Sequence, residues 1–170
     1  MERRSIEAIV QALDAARVRY LIVGGLAVTA HGYVRFTAGV DLVLDPDPAA
    51  TARAVGALSS LGYVPRAPVP FADVADAAQR ARWVRETGLA VFSVFSPEHP
   101  ATELDLFVDV PFDFDRVYER AVRFEISRGV EAVFIDLSDL IEMKRRAGGP
   151  QDLLDVEALE SLRRVKADEE

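Results

Sequence analysis

Apolar residues recur along this chain in two alternating rhythms, one of helices and one of short strands. Ile6, Ile9, Val10 and Leu13 share one face of a helix from about Ser5 to Ala16. Tyr20 to Val23 is a short apolar strand that runs into Gly24-Gly25. A short helix follows and ends near His31-Gly32, with His31 at its negative end and Gly32 as the residue beyond it. Val40 to Leu44 is a second strand, stopped by Asp45-Pro46-Asp47-Pro48. Asp47 can cap the next helix and Pro48 can sit in its first turn, with the helix ending near Gly62. A proline-rich connection from Pro65 to Pro70 leads into an expected helix over Phe71 to Glu86, with Val74, Ala75 and Ala78 inward and Trp83 packing. Leu89 to Phe95 and Glu103 to Val110 alternate like strands, joined by a Ser-Pro-Glu-His-Pro turn in which His99 is expected to face solvent.

The remainder is mostly helical. A short helix near Phe114 to Ala121 and a strand near Val130 to Ile135 precede helices over Leu137 to Arg146 and Pro150 to about Val165. Gly148-Gly149 separates these last two. Leu154, Ala158, Leu159, Leu162 and Val165 form the expected buried stripe of the final helix, and the terminal KADEE is expected to be solvated and frayed. Strands interleaved with helices give an α/β (α+β) fold, a mixed sheet flanked by helices with a helical C-terminus. No repeat or linker divides the chain, so one domain over 1–170 is the simplest organisation.

Composition narrows the functional classes. Half of the 170 residues are hydrophobic, which supports a real core. There is no cysteine, so disulfides and cysteine-ligated zinc are excluded; a cytoplasmic location suits this. The N-terminus lacks the apolar segment of a signal peptide, and no apolar run is long enough to span a membrane, so no membrane partner is expected. The formal net charge of −8 argues against a surface that grips many nucleic-acid phosphates. It is compatible with a nucleotide carrying a divalent cation, or with a small part of an RNA.

The chemistry-bearing residues lie between Leu21 and Leu44 and on the later strand. A glycine pair between strand and helix frees backbone N–H groups for a phosphate. Arg35, with Thr37 near it, can contact phosphate oxygens. On the second strand Gly39, Asp41 and Val43 share one face; on the later strand Glu103, Asp105, Phe107 and Asp109 share one. If the two strands are neighbours, Asp41 and Asp105 converge on the open face. Converging carboxylates need a cation or a shared proton, and Mg²⁺, with Mn²⁺ as its substitute, suits carboxylates plus phosphate oxygens. For each residue there is a plainer role: strand-end acids, a surface Arg35 ion pair, a solvated Lys144, an Asp152 that only complements a helix dipole.

The string GGLAVTAHGYVRFTAGVDL, continued by RARWVRETGLAVF, TELDLFVDVPFDF and DLIEMKRRAGGPQDLLDVEAL, resembles polymerase-β-like nucleotidyltransferases of the AbiEii type, toxins of two-gene toxin–antitoxin systems and their relatives. The resemblance implies a minimal nucleotidyltransferase fold that uses Mg²⁺ and a nucleoside triphosphate (NTP), with RNA, including the tRNA 3′ end, among the acceptors and an antitoxin protein as partner. It matches Gly24 and Gly25 to the phosphate-binding turn and Asp41 to the second metal-binding acid. Asp105 matches the third carboxylate, Lys144 a basic residue near the triphosphate, and Asp152 the acidic residue of the last motif. Two positions depart from the pattern: Gly39 stands where the first metal acid is usual, and Gly149 where an arginine is. Losing one electrostatic catalytic element commonly lowers a rate about a hundred- to a thousandfold. Gly39 therefore leaves open an active transferase, a nucleotide-binding or protein-interaction module without turnover, and a deliberately disabled enzyme. Glu103 is the candidate replacement acid.

Overall fold

The computed structural model describes residues 1–168; Glu169 and Glu170, the end of the expected solvated tail, lie outside the described residues. The chain forms α1 (Arg3–Ala15), β1 (Tyr20–Val23), α2 (Gly24–Ala30), β2 (Gly39–Leu44), α3 (Pro48–Ser60), β3 (Val64–Pro65), a 3₁₀ turn (Phe71–Ala75) and α4 (Ala77–Thr87). There follow β4 (Val91–Phe95), β5 (Glu103–Phe107), α5 (Phe114–Glu119), β6 (Val122–Ser127), β7 (Val130–Phe134), α6 (Leu137–Ala147) and α7 (Pro150–Asp168). The strands make one mixed seven-stranded sheet in the order β3-β4-β5-β2-β1-β7-β6. This is the expected mixed sheet with flanking helices and a helical C-terminus.

Buried strands explain the centre of the sheet. Tyr20, Leu21, Ile22 and Val23 are all buried, as a central strand covered on both faces requires. β1 runs antiparallel to β2, with Val23 opposite Asp41. β2 runs parallel to β5, with Gly39 opposite Glu103 and Asp41 opposite Asp105. The long crossover from Leu44 to Glu103 makes that parallel pairing possible, since parallel neighbours need an extended connection.

Several boundaries differ from expectation, each for a local reason. The helix expected over Phe71 to Glu86 is broken at Asp76, whose carboxylate accepts hydrogen bonds from the N–H groups of Ala78 and Gln79 and starts α4 afresh. Trp83 packs as expected, stacked on Phe92 at 5.4 Å between ring centroids. The sequence pattern assigns no element to 122–127; β6 there is an edge strand paired to β7, and its exposed alternate residues dilute the apolar signal. β3 is too short to show a period. His99 does not simply face solvent: its ring lies parallel to Tyr63, and Nδ1 is 2.9 Å from the Ser5 hydroxyl, tying the turn to α1.

The stripe expected on the last helix holds at Leu159 and Leu162 but is rotated away from Leu154 and Val165. Asp155, Val156 and Leu159 are its buried residues, while Leu154 and Val165 are both 54% exposed. The rotation turns Asp152 and Asp155 toward α6, against which α7 packs.

Candidate functional site

The floor of the site is set where β1 ends. Gly24 has φ +63°, and a Cβ there would lie 2.0 Å from Asp41 Oδ2, so both backbone and space demand glycine. A Cβ on Gly25 would lie 2.8 Å from Thr37 Oγ1 and 3.0 Å from Arg35 Nη2. The glycine pair therefore lets three side chains, Asp41, Arg35 and Thr37, close on the backbone of one turn.

Asp41 and Asp105 are direct partners on neighbouring parallel strands, facing the same side. Burial, and then the charge of Asp105, push the Asp41 carboxyl up to about 6, against the opposing pull of Lys144, the Gly25 N–H and Arg35. The Ser93 hydroxyl on β4 donates to Asp105 Oδ1, which leaves Oδ2 of that acid without a protein donor among the described residues. Two carboxylates under mutual repulsion fit a divalent cation that takes its other ligands from phosphate oxygens and water. Among the described residues no cluster of three or more acids or histidines could hold a metal by itself.

Position 39, where the sequence resemblance leads one to expect an acid, is closely packed. A Cβ on Gly39 would lie 2.9 Å from the carbonyl oxygen of Glu103. The Glu103 side chain points to the same face of β5 as Asp105 but is ion-paired with Arg66, whose guanidinium lies over the Phe95 ring.

The opposite wall comes from the loop before β2 and from α6 and α7. Lys144 is buried, with Nζ 2.7 Å from Asp152 Oδ1 and 2.9 Å from Asp155 Oδ2. Arg35 Nη2 donates to Asp155 Oδ2 at 2.9 Å, its Nε lies 2.8 Å from Oδ1, and Nη1 donates to the Phe36 carbonyl. Asp152 also accepts from the Gly149 N–H, at the start of α7. Burial opposes ionisation of Asp155, but hydrogen bonds from Lys144, Gln151 and Arg35 outweigh it and hold the carboxyl below its ordinary range.

Between floor and wall lies a cavity of about 680 Å³. Gly24, Gly25, Arg35, Thr37, Asp41, Lys144 and Asp152 line it, together with an apolar side of Phe36, Phe107, Pro111 and Met143. Every site residue named from the sequence lines this cavity except Asp105, which meets Asp41 from β5. Asp155 was not among them. Its signal was the spacing Gln151-Asp152-Asp155, which puts three polar side chains on one helical face; it was masked by Leu153 and Leu154, which are exposed.

The arrangement of mixed sheet, glycine turn and paired strand acids has the nucleotidyltransferase fold. It superposes on the crystal structure of the lincosamide antibiotic adenylyltransferase LnuA in its lincomycin-bound form, with a TM-score of 0.61 over 95% of this chain and 98% of that one. Identity is 13%, so the likeness shows the fold. No family model and no curated protein matches the sequence.

Proposed function

We propose that this protein, as one domain over residues 1–170, binds an NTP in the cavity and transfers its nucleotidyl group to an acceptor hydroxyl. The observation that carries the reading is the in-register pair Asp41–Asp105 beside a cavity whose far wall presents Lys144 and Arg35. In transfer the acceptor oxygen bonds to the α-phosphorus, the bond to pyrophosphate breaks, and the hydroxyl proton passes to Asp105. Oδ2 of Asp105 is the acceptor for that proton, since Oδ1 already accepts from Ser93. Asp41 and Asp105 would hold Mg²⁺ or Mn²⁺, which neutralises phosphate charge when bound. The Gly24-Gly25 turn, Thr37, Arg35 and Lys144 orient the triphosphate, and Asp152 steadies Lys144.

The acceptor is the less constrained half of the reaction. The resemblance favours an RNA hydroxyl and a cytoplasmic toxin partnered by an antitoxin; the solved neighbour acts on a small antibiotic. The apolar side of the cavity and the net charge of −8 favour a small acceptor. A second reading, a nucleotide-binding module without turnover, is favoured by Gly39, whose missing carboxylate has no free stand-in because Glu103 is held by Arg66.

Label transfer from each of the four α-labelled NTPs with Mg²⁺ separates these readings, using total tRNA and a panel of small hydroxylated compounds including lincosamides as acceptors. Transfer by the wild type that is lost in Asp105→Asn supports the transferase. Transfer that survives in Asp105→Asn removes that residue from the proposed role. Triphosphate binding with no transfer to any acceptor supports the module instead.

A further inference from the structure

Two of the three cations that line the cavity, Arg35 and Lys144, do not reach it independently; both hang on one buried carboxylate. Asp155 is fully buried, and three side chains, Arg35, Lys144 and Gln151, close on its two oxygens. Oδ1 accepts from Gln151 Nε2 at 3.0 Å and lies 2.8 Å from Arg35 Nε, whose N–H is not aimed at it; Oδ2 accepts from Arg35 Nη2 and meets Lys144 Nζ, each at 2.9 Å. Two cations and one amide thus enclose a carboxylate that solvent does not reach. It does not line the cavity, and its solvent exposure is nil. A group in that position can act only through the residues that it holds.

From this geometry we infer that Asp155 is the positioning residue of the triphosphate subsite. It fixes Arg35 from the loop before β2 and Lys144 from α6 as a rigid cationic pair beside the glycine turn. The inference rests on the nucleotide reading of the cavity. Arg35 meets Asp155 with two nitrogens of its planar fork, Nη2 by a hydrogen bond and Nε by ion-pair contact, which limits where the guanidinium can lie. The same Nη2 is the atom that a Cβ on Gly25 would approach to 3.0 Å, so the fork is anchored against the phosphate-binding turn itself. Without Asp155, Lys144 keeps Asp152 and Arg35 keeps only the Phe36 carbonyl. The two cations then have no common fixed point.

This role differs in sign from a purely electrostatic one. Asp155→Asn removes a negative charge next to an anion site; if charge alone mattered, every nucleotide would bind more tightly. If Asp155 positions the cations, Asp155→Asn loosens the pair and weakens the triphosphate most. The expected loss in NTP affinity is about ten- to a hundredfold, the range for hydrogen bonds that involve charged groups. Affinity for the matching monophosphate should change much less, so the preference for triphosphate over monophosphate collapses. A residue that merely supported the fold would weaken both nucleotides alike.

Calorimetric titration of full-length wild type, Asp155→Asn and Arg35→Lys with ATP and AMP, each with Mg²⁺, tests this. Arg35→Lys keeps the charge, leaves Asp155 in place and cannot reproduce the fork, so it is expected to lose triphosphate preference as well. It also decides the case if Asp155→Asn fails to fold. Tighter binding of both nucleotides to Asp155→Asn, or an undiminished triphosphate preference in the folded variants, overturns the positioning role while the nucleotide reading stands. A wild type without triphosphate preference overturns both.

Discussion

A Cβ at position 39 would press on the Glu103 carbonyl, and that contact bears on the acid that the sequence resemblance expects there. Restoring a carboxylate is also an overpacking mutation between two hydrogen-bonded strands, because the listener to the clash is backbone and cannot swing aside. Gly39→Ala is therefore expected to lower stability by about 1–3 kcal/mol, read from urea unfolding. An unchanged midpoint would mean that β2 and β5 separate freely and that Gly39→Asp is a clean restoration. With the expected loss, any gain of activity in Gly39→Asp must be judged against Gly39→Ala. Asp41 yields a second prediction. Its carboxyl is raised from the ordinary 3.8 to about 6, so between those values the native state binds the proton more tightly than the unfolded chain does. Stability of the metal-free protein then falls as pH rises through that window, and the penalty is complete above about 6. Asp41→Asn lifts it: in chelator at pH 8 the variant should be more stable than wild type, by at most about 3 kcal/mol, and the difference should vanish near pH 4. A variant less stable than wild type at pH 8 would show that the repulsion is already compensated.

At the scale of elements, legibility in the sequence followed the physics of each segment. β1, β2 and β5 carried full apolar periods, so their existence, and the shared face of Asp41 and Asp105, could be read directly; their adjacency is a property of the sheet and could only be posed as a condition. β6 could not be read because an edge strand exposes one set of alternate residues, and α4 was fused to the preceding turn because Asp76 looked like any polar helix position. The last helix shows the sharpest misreading. Its leucines suggest an apolar stripe that includes Leu154; Leu159 is buried as expected, but the rest of the buried face is Asp155 and Val156, the acid being tolerated because it is ion-paired with Arg35 and Lys144. The rotated face makes a direct prediction. Leu159→Ala should destabilise by about 2–5 kcal/mol and Leu154→Ala by less than about 0.5 kcal/mol in thermal or urea unfolding. Equal effects would return the stripe to where the leucines first placed it.

For the whole molecule, the decisive contrast is between an acidic body and a cavity in which three cations stand against only two acids, Asp41 and Asp152. Acidic residues outnumber basic ones, 28 to 20, yet Arg35, Lys144 and Arg146 all line the cavity. A polyanion approaching from solution meets the long-range field of the body; a nucleotide inside the cavity meets the wall. Salt separates the two, because screening acts strongly on exposed charges beyond about 8–10 Å and weakly on buried pairs. Nucleotide affinity should thus vary modestly, within about threefold, between about 50 and 200 mM KCl. A protein that gripped tRNA through many phosphates would lose about three to five orders of magnitude in affinity over the same range. Measuring ATP and tRNA binding at both salt concentrations therefore ranks the acceptor classes before any acceptor is identified. A shallow slope for both fits a pocket that admits a nucleotide and a small acceptor, or only the end of an RNA. A steep slope for tRNA would place an extended phosphate-binding surface on this acidic protein and move the balance to an RNA acceptor.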